Sequence, residues 1–129
     1  MNLNGIKMKF VTHEITKKLK YKGYPLQATH DKNVSRLIYE PPRENEDWKD
    51  CDVFYVPTIS EVLDWFRTNH GIHVRVDLWK KGWYFDVISY EYDESCSEYN
   101  VATKHQSEDY KSYDEAAIMG AKYVLDNLI

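Results

Sequence analysis

The sequence predicts an α+β fold in which an antiparallel three-stranded sheet carries helices on one face, in the order α-β-β-β-α, after an N-terminal helix-containing extension. Three observations carry this. Ile72 through Trp79 alternates apolar and polar residues with period two, as a strand with one covered face does. Ile59, Val62, Leu63 and Phe66 recur at helical spacing behind Thr58-Ile59-Ser60-Glu61, which has the spacing of a capping box. A second such box, Ser112-Tyr113-Asp114-Glu115, opens a long Ala-rich stretch.

Taken in chain order, Thr12 followed by Ile15 and Leu19, with Val11 before and Gly23 and Pro25 after, predicts a short amphipathic helix over residues 12–22. Lys17, Lys18, Lys20 and Lys22 fill its other faces and complement the negative end of the helix dipole. Residues 26–28 and 36–39 can each form a short strand. Pro41-Pro42-Arg43-Glu44-Asn45-Glu46-Asp47 is polar and led by prolines, so it reads as a surface connection. The domain division that follows is a basic extension with linker over 1–50 and the α-β-β-β-α domain over 51–129. Residues 52–56 suit a short strand leading into the helix opened by Thr58, and Gly71 supplies its left-handed stop.

After the strand at 72–79, Lys80-Lys81-Gly82 is a hairpin turn, with Gly82 suited to positive φ. A second strand over 83–90 is rich in aromatic and β-branched residues, an acidic loop occupies 91–98, and a third strand fits 99–104. The last helix runs to about residue 127. Ala116, Ala117, Gly120 and Ala121 form a small-residue patch suited to close approach over the sheet, and Tyr113, Val124 and Leu128 extend its buried stripe. Gly within a helix costs roughly 1 kcal/mol relative to Ala, and close packing accounts for its presence.

The chain has 129 residues, 43% of them hydrophobic, with 11 Tyr, 4 Trp and 4 Phe. That is ample large side-chain area for a core, so disorder of the whole chain is excluded. Two Cys are too few for a disulfide scaffold, and no apolar run is long enough to span a bilayer. A soluble cytoplasmic protein without membrane contact is expected. The net charge of −4 hides a polarised chain: residues 1–50 hold 10 basic and 7 acidic side chains, a net of +3, and residues 51–129 hold 7 and 14, a net of −7.

The α-β-β-β-α order resembles the double-stranded-RNA-binding domain, whose second helix is also Ala-rich, over residues 57–129 and in topology only. Members of that family bind RNA through a Lys-rich start to the second helix. Here that position holds Glu108-Asp109-Tyr110-Lys111-Ser112-Tyr113-Asp114-Glu115, whose acids repel phosphate, so the family's binding residues do not carry over. Lys80 and Lys81 fall where the family makes a groove contact. A second resemblance spans nearly the whole chain. The short Lys-rich helix ending in Gly, then Tyr55-Val56-Pro57-Thr58-Ile59-Ser60-Glu61-Val62-Leu63-Asp64-Trp65-Phe66, Trp83-Tyr84 and Ser112-Tyr113-Asp114-Glu115-Ala116-Ala117 together resemble small phage- and prophage-type proteins of gut bacteria. This resemblance implies origin on a mobile element and carries no activity.

Catalytic signals are sparse. His70 and His73 are the one close His pair, and a metal site needs further converging ligands that no telling spacing supplies. Cys51 and Cys96 belong to no C-x-x-C motif, and Asp77 and Asp86 on neighbouring strands suit a solvated face opposite Arg75. No phosphate-loop, dinucleotide, zincin or nucleophile-elbow motif occurs. The expectation is therefore a non-enzymatic accessory protein, with no catalytic residue, cofactor or metal. It would act through protein–protein contact or a homodimer, using aromatics in excess of what one small core can hide, some of which alternation forces onto the uncovered sheet face; the candidates are Trp79, Trp83, Tyr84 and Tyr90. The alternative is a nucleic-acid-binding module using Lys17, Lys18, Lys20 and Lys22 together with the Lys80-Lys81 turn.

Overall fold

Helix α1 (His13–Tyr21) starts where the sequence places it. Thr12 is extended (φ −78°, ψ 165°), and the Ile15 N–H donates to its hydroxyl oxygen at 3.1 Å. Val11, Ile15 and Leu19 are buried. Thr16 shares their side of the helix and is buried as well, because its hydroxyl donates to the Thr12 carbonyl at 2.9 Å and so leaves no unsatisfied group in the apolar seam. Lys18 and Lys20 occupy the last turn.

The computed structural model describes residues 9–28, 37–39 and 53–129. Lys7, His30, the connection at 41–47 and Cys51 lie outside the described residues. The chain forms two units, Met1–Thr58 and Ile59–Ile129. In the first, β1 (Ile38–Tyr39) pairs antiparallel with β2 (Phe54–Tyr55), while Ala28 makes a single bridge to Phe54 and Phe10 one to Thr58. The Val11 N–H donates to the Pro57 carbonyl at 3.1 Å and the Tyr55 N–H to the Gln27 carbonyl at 2.9 Å. Residues 53–58, on the far side of the expected division at 50/51, are thus tied by backbone hydrogen bonds to the segments flanking α1 and by strand pairing to β1.

The second unit has the predicted architecture. α2 (Ile59–His70) buries Ile59, Val62, Leu63 and Phe66 and ends at Gly71, whose φ is 62°. β3 (Ile72–Trp79), β4 (Gly82–Asp93) and β5 (Glu98–Gln106) form one antiparallel sheet in that order. α3 (Tyr113–Asn127) begins with the Glu115 N–H donating to the Ser112 hydroxyl at 3.1 Å. α2 packs on β3 and on α3, and α3 packs on β3 and β4. The core is Ile72, Val74, Phe85 and Val87 of the sheet against Ala116, Ala117, Ala121, Val124 and Leu125 of α3. Gly120 sits at the closest approach: a Cβ there would lie 2.6 Å from the Val74 Cγ1 and 3.3 Å from the Phe85 ring. Only hydrogen fits, which offsets the helix-propensity cost.

Three expectations are corrected. The predicted acidic loop at 91–98 shrinks to a turn over residues 94–97, because β4 continues to Asp93 and β5 begins at Glu98. Tyr92 lies directly opposite Tyr99 with ring centroids 5.0 Å apart, and this cross-strand pair prolongs the ladder. The turn is closed by Asp93, whose Oδ1 accepts from the Ser95 N–H and hydroxyl. Tyr113 is 47% exposed rather than part of the buried stripe; its ring stands edge-on to Trp83 at 5.7 Å. Leu78 is exposed although it shares a strand face with buried Ile72 and Val74, because the hairpin tip runs past the helices. No described helix is long and apolar enough to cross a membrane.

Candidate functional site

Two surfaces of the second unit gather side chains that burial does not explain. The first is the tip of the β3–β4 hairpin. Trp79 lies opposite Gly82, so the loop consists of Lys80 and Lys81. Gly82 has φ 152°, and a Cβ on it would lie 2.6 Å from the Tyr110 carbonyl oxygen. That closeness follows from the exchange of both backbone hydrogen bonds between Trp83 and Tyr110, at 2.9 and 2.6 Å. The exchange draws the segment before α3 against the hairpin and brings Lys111 to the same place as Lys80 and Lys81. An open groove of about 780 Å³ results, lined by Trp79, Lys80, Lys81, Trp83, Tyr110 and Lys111, with Asp109 at its side. The Lys80 Nζ stands 5.9 Å from the centroid of the Trp79 ring.

The fold thus unites Trp79 and Trp83 with Lys80 and Lys81, residues that the sequence assigns to two different modes of binding. Tyr84 belongs to a neighbouring hollow shared with Trp79, Gln106, Ser107 and Asp109. Tyr90 lies toward the other end of the sheet, its hydroxyl donating to the Arg67 carbonyl at 2.8 Å and its ring 5.9 Å from Tyr99. Lys17, Lys18, Lys20 and Lys22 belong to the first unit, where Lys18 is 3.7 Å from Glu14 and Lys20 lies 5.9 Å from the Phe54 ring centroid.

The second surface is the sheet face turned away from Val74, Phe85 and Val87. Directly opposed residues share a face, which places Arg75 with Asp86, Asp77 with Tyr84, Ile88 with Thr103, Tyr90 with Val101, and Tyr92 with Tyr99. Arg75 donates to the buried Asp86 carboxylate, and this bond, with the attraction of the same carboxylate, raises the Arg75 pKa. His73 is half-buried and its Nδ1 has no hydrogen-bond partner. Burial first, then Arg67 and Arg75, lower its pKa below the ordinary histidine value.

β5 differs from its neighbours. Every residue of it is exposed except His105, which stacks on Tyr123 of α3 at 4.1 Å. Tyr99 is 60% and Val101 64% exposed. Among the described residues, no strand pairs with its outer edge. Neither Val101 nor the bare edge has a local signature in the sequence, whereas Tyr99 announces itself only as one aromatic among many.

Among the described residues no three His, Cys, Asp or Glu side chains converge as metal ligands. Asp77 accepts from the Leu78 N–H and Asp86 is committed to Arg75, so the two carboxylates have separate partners. His70 stands edge-on to Trp65 at 4.7 Å, and Cys96 is an exposed thiol in the 94–97 turn. No protein-family model, curated protein or solved structure matches the chain.

Proposed function

We propose that the chain is a non-enzymatic accessory protein that works by protein–protein contact, offering the face and the edge of its sheet that no described strand or helix covers to a partner or to a second copy of itself. The observation that carries this reading is β5, a nine-residue strand exposed on both faces that nevertheless bears Tyr99 and Val101 at its centre. Exposed apolar and aromatic side chains on an open strand edge are costly for a protein that remains alone, since they invite association. The resemblance to phage- and prophage-type proteins supports placing this role on a mobile element. The test is a pull-down with the full chain as bait beside its Y99S/V101S variant, together with sedimentation of both. Loss of a retained partner or of self-association in the variant is expected. A strict monomer whose retained proteins are the same with either bait would overturn the reading.

A second reading is favoured by the hairpin groove, where Lys80, Lys81 and Lys111 stand beside the exposed Trp79 ring. Cations next to a stacking surface suit single-stranded nucleic acid. Affinity would then fall steeply with added salt and be abolished by K80E/K81E; no binding at low salt would sink it. The −7 net charge of residues 51–129 favours the protein partner.

A further inference from the structure

The backbone geometry and charge pattern of β5 name a partner, an inference that rests on the protein-contact reading above. Trp83 and Phe85 direct their backbone groups toward the β5 side of β4, to Tyr110 and Ser107, whereas the Tyr90 N–H donates toward β3, to the Gly71 carbonyl. In an antiparallel ladder this direction alternates along the strand. Ser89, Glu91 and Asp93 therefore face β5, and their opposites Ala102, Asn100 and Glu98 face back. That leaves the N–H and C=O groups of Tyr99, Val101 and Thr103 pointing outward, along an edge no described strand occupies.

We infer that β5 pairs antiparallel with β5 of a second copy about a two-fold axis at Val101, joining two three-stranded sheets into one of six. The hydrogen-bonding parity permits a two-fold axis at any residue position; of the three at the centre of the uncharged run, Asn100, Val101 and Ala102, charge distinguishes one. An axis at Val101 sets Val101 against Val101, Tyr99 against Thr103, and Glu98 against Lys104, the last pair occurring twice by symmetry. An axis at Ala102 sets Glu98 against Gln106 and Lys104 against Asn100, and one at Asn100 sets Glu98 against Ala102. Only the Val101 axis places acid opposite base, and it does so on the face away from Tyr99 and Val101. The register shift between Val87 and Ile88 makes Lys104 the extra residue of a β-bulge, so regular pairing ends at the charge pair. The uncharged run Tyr99-Asn100-Val101-Ala102-Thr103 lies between the two ion pairs. Pairing also sets the two exposed Tyr92-Tyr99-Val101 patches side by side.

The test is sedimentation equilibrium of the full chain and of E98K, K104E and E98K/K104E. The wild type is a dimer. Each single variant sets two like-charge pairs across the axis and weakens association about tenfold; the double variant restores opposite charges and association near the wild-type value. A second measurement needs no variant: amide exchange at Tyr99, Val101 and Thr103 slows as wild-type concentration rises, whereas that at Asn100 and Ala102 does not change. A wild-type dimer that neither single variant weakens, with concentration-independent exchange at Tyr99, Val101 and Thr103, overturns the β5 pairing and leaves the protein-contact reading standing. A wild-type monomer at millimolar concentration overturns self-pairing, and the Y99S/V101S pull-down then decides the broader reading separately.

Discussion

β3 and β5 are the two edges of one sheet, yet they are managed in opposite ways. β3 buries Ile72 and Val74 beneath the helices and carries His73, Arg75 and Asp77 on its other face. β5 buries nothing fully, and its centre, Tyr99 to Thr103, is uncharged. Covered apolar residues and charge along an edge are protections against pairing with another chain. β3 has both, and β5 has only the flanking Glu98 and Lys104 and a bulge. The cause is the position of α3. Gly120 lets it settle over Val74 and Phe85, hence over β3 and β4, and it meets β5 through Tyr123 stacked on His105.

The strongest way to break this contrast is to lift α3. Gly120→Val drives methyl groups into Val74 and Phe85, and overpacking of this kind should cost about 3 kcal/mol, read as a lowered denaturation midpoint. A matched pair tests the edges directly: Val74→Ala should cost about 2 kcal/mol through the cavity it leaves, and Val101→Ala less than about 0.5 kcal/mol in the monomer. Equal losses would mean that β5 is covered after all. Ser112→Ala removes the acceptor for the Glu115 N–H and should cost about 1 kcal/mol, with fraying visible as faster amide exchange in the first turn of α3.

The smallest effect concerns pH. The folded pKa of His73 is lowered, so the unfolded chain takes up a proton near the ordinary value of about 6.5 while the folded chain resists it. Stability from this group is complete above that value and declines as pH falls toward the folded one. His73→Gln should therefore flatten part of the loss of stability between about pH 7.5 and about pH 5, measured by urea denaturation. An unchanged pH profile would remove His73 from the account, along with the role of Arg67 and Arg75 beside it.

Local signals made most of the second unit legible. Ser112 caps α3 as its box predicts, α2 starts directly after Thr58, and the alternation in β3 marks its buried side correctly at Ile72 and Val74. What local pattern does not encode is which lengths of a strand lie under a helix. Leu78 continues the apolar side of β3 beyond the helices, and Tyr99 and Val101 alternate on β5 as a buried stripe would while facing the other way. Period two says that a strand has two faces, and only its register with the next strand says which face is which. The hairpin groove was half legible for the same reason. Lys80 and Lys81 adjoin Trp79 in sequence, but Lys111 arrives through the Trp83–Tyr110 hydrogen bonds, a contact between distant residues.

The order of elements also sets a timetable for synthesis. The inner surface of the sheet, Ile72, Val74, Phe85 and Val87, is covered by Gly120, Val124 and Leu125, which the ribosome adds only after it. At roughly 5–20 residues per second that surface waits some seconds for its cover. During that interval a nascent chain presents its future core and its bare β5 edge together, and a newborn molecule is stickier than the finished one.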